Sequence, residues 1–448
     1  MKTMLKYFTV ITVGLLLALL VIAGGNQPAA AKDPVKLTWW HLWGGSRAPL
    51  IDKLLADYKK SHPEVAIEVT FTPPNEMDKK IVQAAGTGTL PDVFTIHSGW
   101  YVNLDPENTL LKLDDYLKKE NIVLEKILME AEAKRSYYKG AIYSLPNVNA
   151  GGQGFFFYNK GLLAKAGLDP VKDLPKNWAE LTKVSKILVE KLNPGKQLDV
   201  IAWYPWQDTG QPMVTVFSYG VKQPIVSDDG KTSLLNTPGV IETAKKFDQY
   251  VDEVYGKFGG YKALIEWASR TVGAETGAAQ VQPFVKEAQV FYISGSWTIG
   301  QVESGNKNMQ FGLMPIPGFT GQHGATAKDG WSYAIGKNTK NTAAAWEFLK
   351  FITLDPAGNG EFCKAQNRPC PLAAVNQDPQ YEKMGAQWTN LIATMNLDVI
   401  PATDVYQNTL IPWFRDVPAR RIAGKGIEDV MKDIHAMFQD YLNDLYNK

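Results

Sequence analysis

Residues 35–97 have the sequence VKLTWWHLWGGSRAPLIDKLLADYKKSHPEVAIEVTFTPPNEMDKKIVQAAGTGTLPDVFTIH, in which strand and helix patterns alternate. Apolar and polar residues alternate over 35–39 and 65–71, as they do in β-strands, and residues 92–96 are predicted as a third strand. Between these segments, apolar residues recur at helical spacing over 50–58 and 77–85. Such a series of strands and helices requires right-handed crossovers. It therefore predicts an α/β fold with a mostly parallel sheet and helices on both faces.

The composition is that of a globular protein with almost no net charge. The 448 residues carry 47 Lys and Arg against 46 Asp and Glu, a net charge of +1, which argues against a nucleic-acid partner. The length exceeds what one hydrophobic core usually serves, so we expect two domains. The 13 tryptophans are more than fold stability requires.

Residues 1–31 predict a signal peptide, and hence export to the periplasm or the extracellular face of the membrane. Lys2 and Lys6 precede an apolar stretch over 8–23, and Ala29-Ala30-Ala31 offers a cleavage site. The alternative is an uncleaved membrane anchor, for which the stretch is short. This region has no cysteine, so we expect no lipoprotein.

The two cysteines, Cys363 and Cys370, lie in a loop that contains proline. For an exported protein this spacing predicts a disulfide, with two reduced thiols as the alternative.

Aromatic and polar residues follow the first and third predicted strands. Ligands bind α/β sheets at the carboxyl ends of the strands. The candidate binding residues there are Trp40, His41, Trp43, His97, Ser98 and Trp100. Similar composition recurs over 143–152, 203–208, 294–297, 329–332 and 411–414. In contrast, Trp178, Trp267, Trp346 and Trp388 lie in helical patterns and are predicted to be core residues.

Catalytic and cofactor motifs are missing from the sequence. No two histidines have the spacing of a zinc helix, and there is no Gly-x-Ser-x-Gly elbow or phosphate-binding loop. A glycosidase needs two carboxyl groups across the scissile bond, and sequence alone cannot pair Asp208, Glu266 or Asp404. We expect no enzymatic activity, no cofactor and no metal.

Aromatic rings beside hydroxyl-binding side chains are typical of carbohydrate sites. Trp and Tyr faces cover the apolar C–H faces of a sugar ring, while Asn, Ser and His side chains bond its hydroxyls. An arginine, such as Arg368, would instead indicate an anionic group.

Several motifs in order resemble the extracellular solute-binding proteins of ABC importers, in the sugar-binding group of maltose-binding protein. They are YNKGLLAKAGLDP at 158–170, LPKNWAEL at 174–181, LTWWH at 37–41, LPDV at 90–93 and AAWEFL at 344–349.

This resemblance implies a two-lobed periplasmic-binding-protein fold of type II, with hinge crossovers near Asn149, Gly330 and Asn376. The N-terminal lobe would comprise residues 32–149 plus 331–376, and the C-terminal lobe residues 150–330 plus 377–448. The protein would be a monomer that closes on a sugar and docks on a transmembrane permease. Matching motifs carry over the ligand-binding residues His97, Ser98, Trp100, Asn147, Asn149, Gly152, Trp203, Tyr204, Trp206, Trp297, Gly330, Trp331 and Trp413.

Three other functions stay open at this point. The same scaffold could bind a phosphorylated or anionic solute, which requires Arg or Lys in the cleft. An exported carbohydrate-active enzyme would require two cleft carboxylates. A protein that serves a chemoreceptor cannot be separated from an importer subunit by sequence.

Overall fold

The computed structural model of the chain describes residues 34–97, 100–148, 155–206, 213–227, 229–271, 282–322, 325–326, 330–384, 398–399 and 407–446. The predicted signal peptide, residues 1–31, lies outside these ranges. Within them, no helix is both long and apolar enough to cross a membrane.

The described chain contains both strands and helices. The strands are β1 Val35–His41, β2 Val65–Phe71, β3 Val93–His97, β4 Tyr137–Tyr138, β5 Ala141–Ile142, β6 Ser144–Pro146, β7 Phe155–Asn159, β8 Phe291–Ser294, β9 Phe311–Pro315, β10 Pro317–Gly318, β11 Gly321–Gln322, β12 Ala325–Thr326, β13 Trp331–Ile335 and β14 Asp398–Val399. The α-helices are α1 Ala48–Ser61, α2 Pro74–Thr87, α3 Tyr101–Leu104, α4 Pro106–Thr109, α5 Asp114–Lys119, α6 Leu124–Ile127, α7 Glu130–Arg135, α8 Lys160–Lys165, α9 Trp178–Leu192, α10 Met213–Gly220, α11 Pro238–Tyr255, α12 Tyr261–Thr271, α13 Trp297–Gly305, α14 Thr342–Thr353, α15 Glu361–Lys364, α16 Gln407–Arg415, α17 Val417–Ile422 and α18 Ile427–Tyr446.

The first sheet has five strands in the order β2–β1–β3–β13–β6. Strand β1 pairs in parallel with β2 and β3, as the alternating pattern predicts. Along β1, Leu37, Trp39 and His41 are buried and alternate with more exposed residues, because one side of the strand faces the core. Strand β13 is antiparallel to both of its neighbours, β3 and β6.

The second sheet has the order β8–β7–β9. All five residues of its central strand β7 are buried, and β7 is antiparallel to both β8 and β9. An isolated parallel bridge joins Ile201 to Gln289, just before β8.

The prediction of mostly parallel sheets is therefore wrong for the pairings that involve β7 and β13. Each of these strands follows a predicted crossover between the lobes. A chain that arrives from the other lobe enters the sheet at its carboxyl edge and must run away from that edge. One strand in each sheet is consequently reversed, while its two neighbours both run toward the edge.

Two large hydrophobic cores divide the described chain into two lobes. The first core uses residues from 37 to 148 and from 333 to 375. The second uses residues from 156 to 316 and from 410 to 442. Trp267 and Trp346 are buried in these cores as predicted, and Trp178 packs against the second core. The lobe boundaries predicted at residues 149, 330 and 376 stay predictions.

The structure does not show the predicted disulfide: Cys363 and Cys370 are both free cysteines in it. Both are fully buried. Cys363 Sγ lies 3.7 Å from the carbonyl oxygen of Asn147. Cys370 Sγ lies 3.9 Å from Asn359 Nδ2. Each sulfur thus has a polar contact in the reduced state, and burial raises the pKa of the Cys363 thiol well above its usual value.

Candidate functional site

An aromatic group of His97, Trp100 and Trp331 lies at the carboxyl end of β3. His97 ends β3, and the antiparallel register places it opposite Trp331, which begins β13. The ring centroid of Trp331 is 5.2 Å from that of His97 and 5.6 Å from that of Trp100, both in edge-to-face geometry. His97 and Trp100 are buried, whereas Trp331 is half-buried. The structure thus brings together three residues that the sequence predicts separately.

The backbone at Trp331 joins the two predicted crossovers. The amide of Asn147 donates to the carbonyl oxygen of Trp331 at 3.0 Å. On the preceding residue, the carbonyl oxygen of Gly330 accepts a hydrogen bond of 2.9 Å from Arg135 Nη1. Asn147 is almost fully buried, and its Nδ2 lies 3.4 Å from Asn359 Oδ1. Asn147 and Gly330 therefore support the aromatic group through their backbones.

Trp297 occupies the corresponding place in the second lobe. It begins α13, three residues after the end of β8, and is half-buried. A Cβ atom on Gly295 would lie 2.0 Å from the Trp297 ring, so only glycine lets the ring lie over this backbone.

Arg368 lies between tryptophans of the two lobes. Its guanidinium carbon is 6.0 Å from the ring centroid of Trp43 in the first lobe and 6.0 Å from that of Trp297 in the second. Nearby, Asn367 Nδ2 is 3.2 Å from a carboxylate oxygen of Glu303 on α13. Arg368 is only 3% exposed, so its cation–π contacts are formed away from bulk water, where they are strongest.

Tyr204 and Trp413 are two further half-buried aromatic residues predicted for the site, both in the second lobe. Both pack against the second core. Burial raises the pKa of the Tyr204 phenol above its usual range, so the hydroxyl stays protonated and can donate a hydrogen bond. The second lobe thus offers Tyr204, Trp297 and Trp413, each of which is half-buried.

Three predicted binding tryptophans belong to the cores instead. Trp43 is 1% exposed and its Nε1 donates to Tyr333 at 2.7 Å. Trp203 is equally buried, within an aromatic cluster of the second lobe. Trp206 is 5% exposed and its Nε1 donates to Tyr261 at 2.8 Å. We therefore remove these three residues from the candidate ligand surface.

Trp40 and His41 have local partners that account for them. Lys80 Nζ lies 3.9 Å from the centroid of the half-buried Trp40 ring and occupies one of its faces. His41 is buried, and its Nδ1 accepts a hydrogen bond of 3.1 Å from the amide of Trp43. Burial lowers the pKa of His41 to about 4, so this histidine is neutral at pH 7. Both residues have a structural role that does not depend on a ligand.

Other candidates lie outside the described residues or away from the aromatic group. Ser98, Asn149 and Gly152 lie outside the described ranges, as do the acids Asp208 and Asp404. Glu266 is exposed on α12.

Two residues near the site were missed by the sequence analysis. Phe71 ends β2, is 46% exposed, and lies opposite His41 with 6.1 Å between ring centroids. Its position at the end of an alternating strand, like that of Trp40, is a signal that could have identified it. Arg135 contacts the site from α7, far away in sequence, and no local pattern indicates it.

The chain is similar to known binding proteins over most of its length. The profile of the family described as bacterial extracellular solute-binding protein matches residues 44–359. A Brucella abortus protein named as a binding protein is 25% identical over 76% of each chain. The maltotriose-binding protein of Pyrococcus abyssi is 24% identical over 72% of this chain and 63% of its own length.

Solved structures share the fold. The protein CpMnBP1 with mannotriose bound superposes with a TM-score of 0.74 at 23% identity, over 90% of this chain and 99% of that one. The sugar-binding protein MalE of Xanthomonas citri superposes with a TM-score of 0.70 at 18% identity, over 92% of this chain and 98% of that one.

Proposed function

Because the chain belongs to the family of bacterial extracellular solute-binding proteins, we propose that it binds a carbohydrate between its two lobes and delivers it to the permease of an ABC importer. The ligand class is a mono- or oligosaccharide or a polyol. The observation that carries the proposal is the aromatic group at the carboxyl end of β3, with Trp331 half-buried at its edge. The sugars named for CpMnBP1 and the Pyrococcus relative support the same class.

In this proposal the sugar lies between Trp331 of the first lobe and Trp297 of the second. Each indole offers an apolar face to the C–H face of a sugar ring, at little cost in side-chain entropy. Tyr204 and Trp413 extend the surface of the second lobe. Ligand contacts to both lobes would favour the closed arrangement, since a ligand shifts an equilibrium only by binding one state better. The hinges would lie near residues 149, 330 and 376.

We further propose that the protein is exported by cleavage after residue 31, carries no lipid anchor, and works as a monomer without catalysing a reaction. Retention of the full sugar after binding would distinguish this role from that of a carbohydrate-active enzyme.

The test is a calorimetric titration of residues 32–448 with neutral sugars, polyols and sugar phosphates, followed by analysis of each mixture for hydrolysis. We expect saturable binding of an intact neutral carbohydrate. Trp331→Ala and Trp297→Ala should each lose about 1–3 kcal/mol of binding free energy, as other aromatic stacking contacts do. Trp346→Phe is the control, because Trp346 is buried and its Nε1 donates to Glu120. Released product, or unchanged affinity in both alanine variants, would contradict the proposal.

A second candidate is an anionic solute, and the position of Arg368 favours it. The Arg368 guanidinium lies between Trp43 of the first lobe and Trp297 of the second, and arginine is a common binding partner of phosphate and carboxylate groups. Binding of sugar phosphates alone in the titration, abolished in Arg368→Gln, would establish this candidate in place of the neutral sugar.

A further inference from the structure

A buried ion pair on α7 contacts the second crossover. Glu132 and Arg135 have side chains that are 2% and 9% exposed. Arg135 Nε donates to Glu132 Oε2 at 2.8 Å, and Nη2 donates to the same oxygen. Burying two charges is unfavourable unless their geometry is good and their remaining donors are used.

The other terminal nitrogen of Arg135, Nη1, contacts the two residues on either side of Trp331. Arg135 Nη1 donates to the carbonyl oxygen of Gly330 at 2.9 Å and lies 3.1 Å from the hydroxyl of Ser332. These two acceptors flank Trp331 in sequence. The carbonyl oxygen of Trp331 itself accepts from the amide of Asn147 at 3.0 Å. The backbone of Trp331 is thus held from both sides.

The same guanidinium explains why residue 330 is glycine. A Cβ atom there would lie 2.5 Å from Arg135 Nη2 and 2.7 Å from Cζ, so the guanidinium would have to shift away from its present acceptors. A side chain at residue 330 and the Arg135 guanidinium therefore compete for the same space.

We infer that Arg135, oriented by Glu132, is a positioning residue that fixes the Gly330–Trp331 crossover to the first lobe and thereby sets where the Trp331 ring meets the ligand. The expected effect on ligand affinity rests on the proposed function. The expected effect on the position of the Trp331 ring does not. In physical terms, Arg135 and residue 330 act on Trp331 through their contact with each other. Their substitutions must therefore be non-additive, both in ligand affinity and in the environment of the indole.

The experiment is a double-mutant cycle in the full mature chain. Gly330→Ala displaces the guanidinium in the native background. In the Glu132→Gln/Arg135→Met background, which leaves no unpaired buried charge, the added methyl group meets no guanidinium. We expect Gly330→Ala to weaken carbohydrate binding about tenfold in the first background and less than about twofold in the second. Equal loss in both backgrounds would overturn the inference.

Arg135→Lys separates positioning from stability. Lysine keeps the charge beside Glu132 but cannot reach both flanking acceptors, so we expect weaker binding. Arg420→Lys is the matched control, because Arg420 pairs with Asp416 and Asp433 on the C-terminal helices. Arg420→Lys should leave the dissociation constant unchanged. If Arg135→Lys also leaves the dissociation constant unchanged and only lowers the melting temperature, Arg135 has a structural role only and the inference is wrong.

Fluorine NMR of protein labelled with fluorotryptophan gives a readout that needs no ligand. The resonance of Trp331 is assigned by its loss in Trp331→Phe. Gly330→Ala should shift this resonance in the native background and leave it in place in the Glu132→Gln/Arg135→Met background. If the wild-type protein binds no carbohydrate, the proposed function fails, and the NMR cycle alone decides the position of the ring. An identical shift in both backgrounds would overturn the inference.

Discussion

Replacement of His41 by asparagine should remove part of the acid sensitivity of the fold. His41 is 4% exposed and lies 4.8 Å from Trp39 between ring centroids. Its Nδ1 accepts a hydrogen bond from the amide of Trp43, and protonation at that nitrogen would abolish the bond. Burial is the larger cause that lowers the pKa of His41 to about 4, and the carboxylate of Asp52 opposes it weakly.

The magnitude follows from the difference between the folded and unfolded states. An unfolded histidine has a pKa of about 6.5, so the unfolded chain binds one more proton than the folded chain between about pH 4 and pH 6.5. The contribution of His41 to the unfolding free energy is therefore fully present above about pH 6.5 and is lost as the pH falls from there to about 4. A pKa difference of about 2.5 corresponds to about 3 kcal/mol of unfolding free energy.

The assay is denaturant unfolding of the wild type and His41→Asn over a pH series from about 7 to about 4. An asparagine Oδ1 can accept the Trp43 amide in place of Nδ1 but does not titrate in this range. Between about pH 7 and about pH 4, the unfolding free energy of the wild type should fall by up to about 3 kcal/mol more than that of the variant. His62→Asn, at the end of α1, is the control for loss of a histidine elsewhere. Parallel curves for wild type and His41→Asn would refute the reasoning.

Three further predictions concern the cap of α9, the thiols and the second core. Asn177→Ala should lower the unfolding free energy by about 1 kcal/mol in thermal melts, because Asn177 Oδ1 accepts a hydrogen bond from the amide of Glu180 at the helix N-terminus. Asn177→Ser should keep most of the wild-type stability. Equal stability of all three proteins would contradict the role of Asn177 as a cap. Cys363 and Cys370 should be unreactive toward a thiol reagent in the folded protein and should both react after denaturation; no reaction after denaturation without reductant would mean that they are oxidised. Trp203→Ala should cost about 3–5 kcal/mol of unfolding free energy as a core truncation, measured by denaturant titration; a fully stable variant would place Trp203 outside the core.

Much of the fold could be predicted because it depends on local patterns. The alternation in residues 35–97 predicts three strands and two helices, and β1, β2, β3 and the parallel pairing of β1 with both neighbours agree with it. The spacing of apolar residues indicates which side of a strand or helix faces a core, and this can be predicted without knowing which elements pack against it. The reversed direction of β7 and β13 lies beyond such patterns, since it depends on where the chain enters each sheet.

The sequence by itself determined which segments follow the carboxyl ends of strands, and so placed His97 and Trp100 at the same edge of the sheet. Only the tertiary structure, through the reversed strand β13, brought Trp331 beside them and decided which aromatic residues stay half-buried. Trp331 and Trp203 both belong to aromatic segments of similar composition, yet one is half-buried and the other is enclosed in a core. The contact between Arg135 and Gly330 likewise joins residues far apart in the chain. Burial and orientation are set by side chains that arrive from distant elements, and no local pattern contains them.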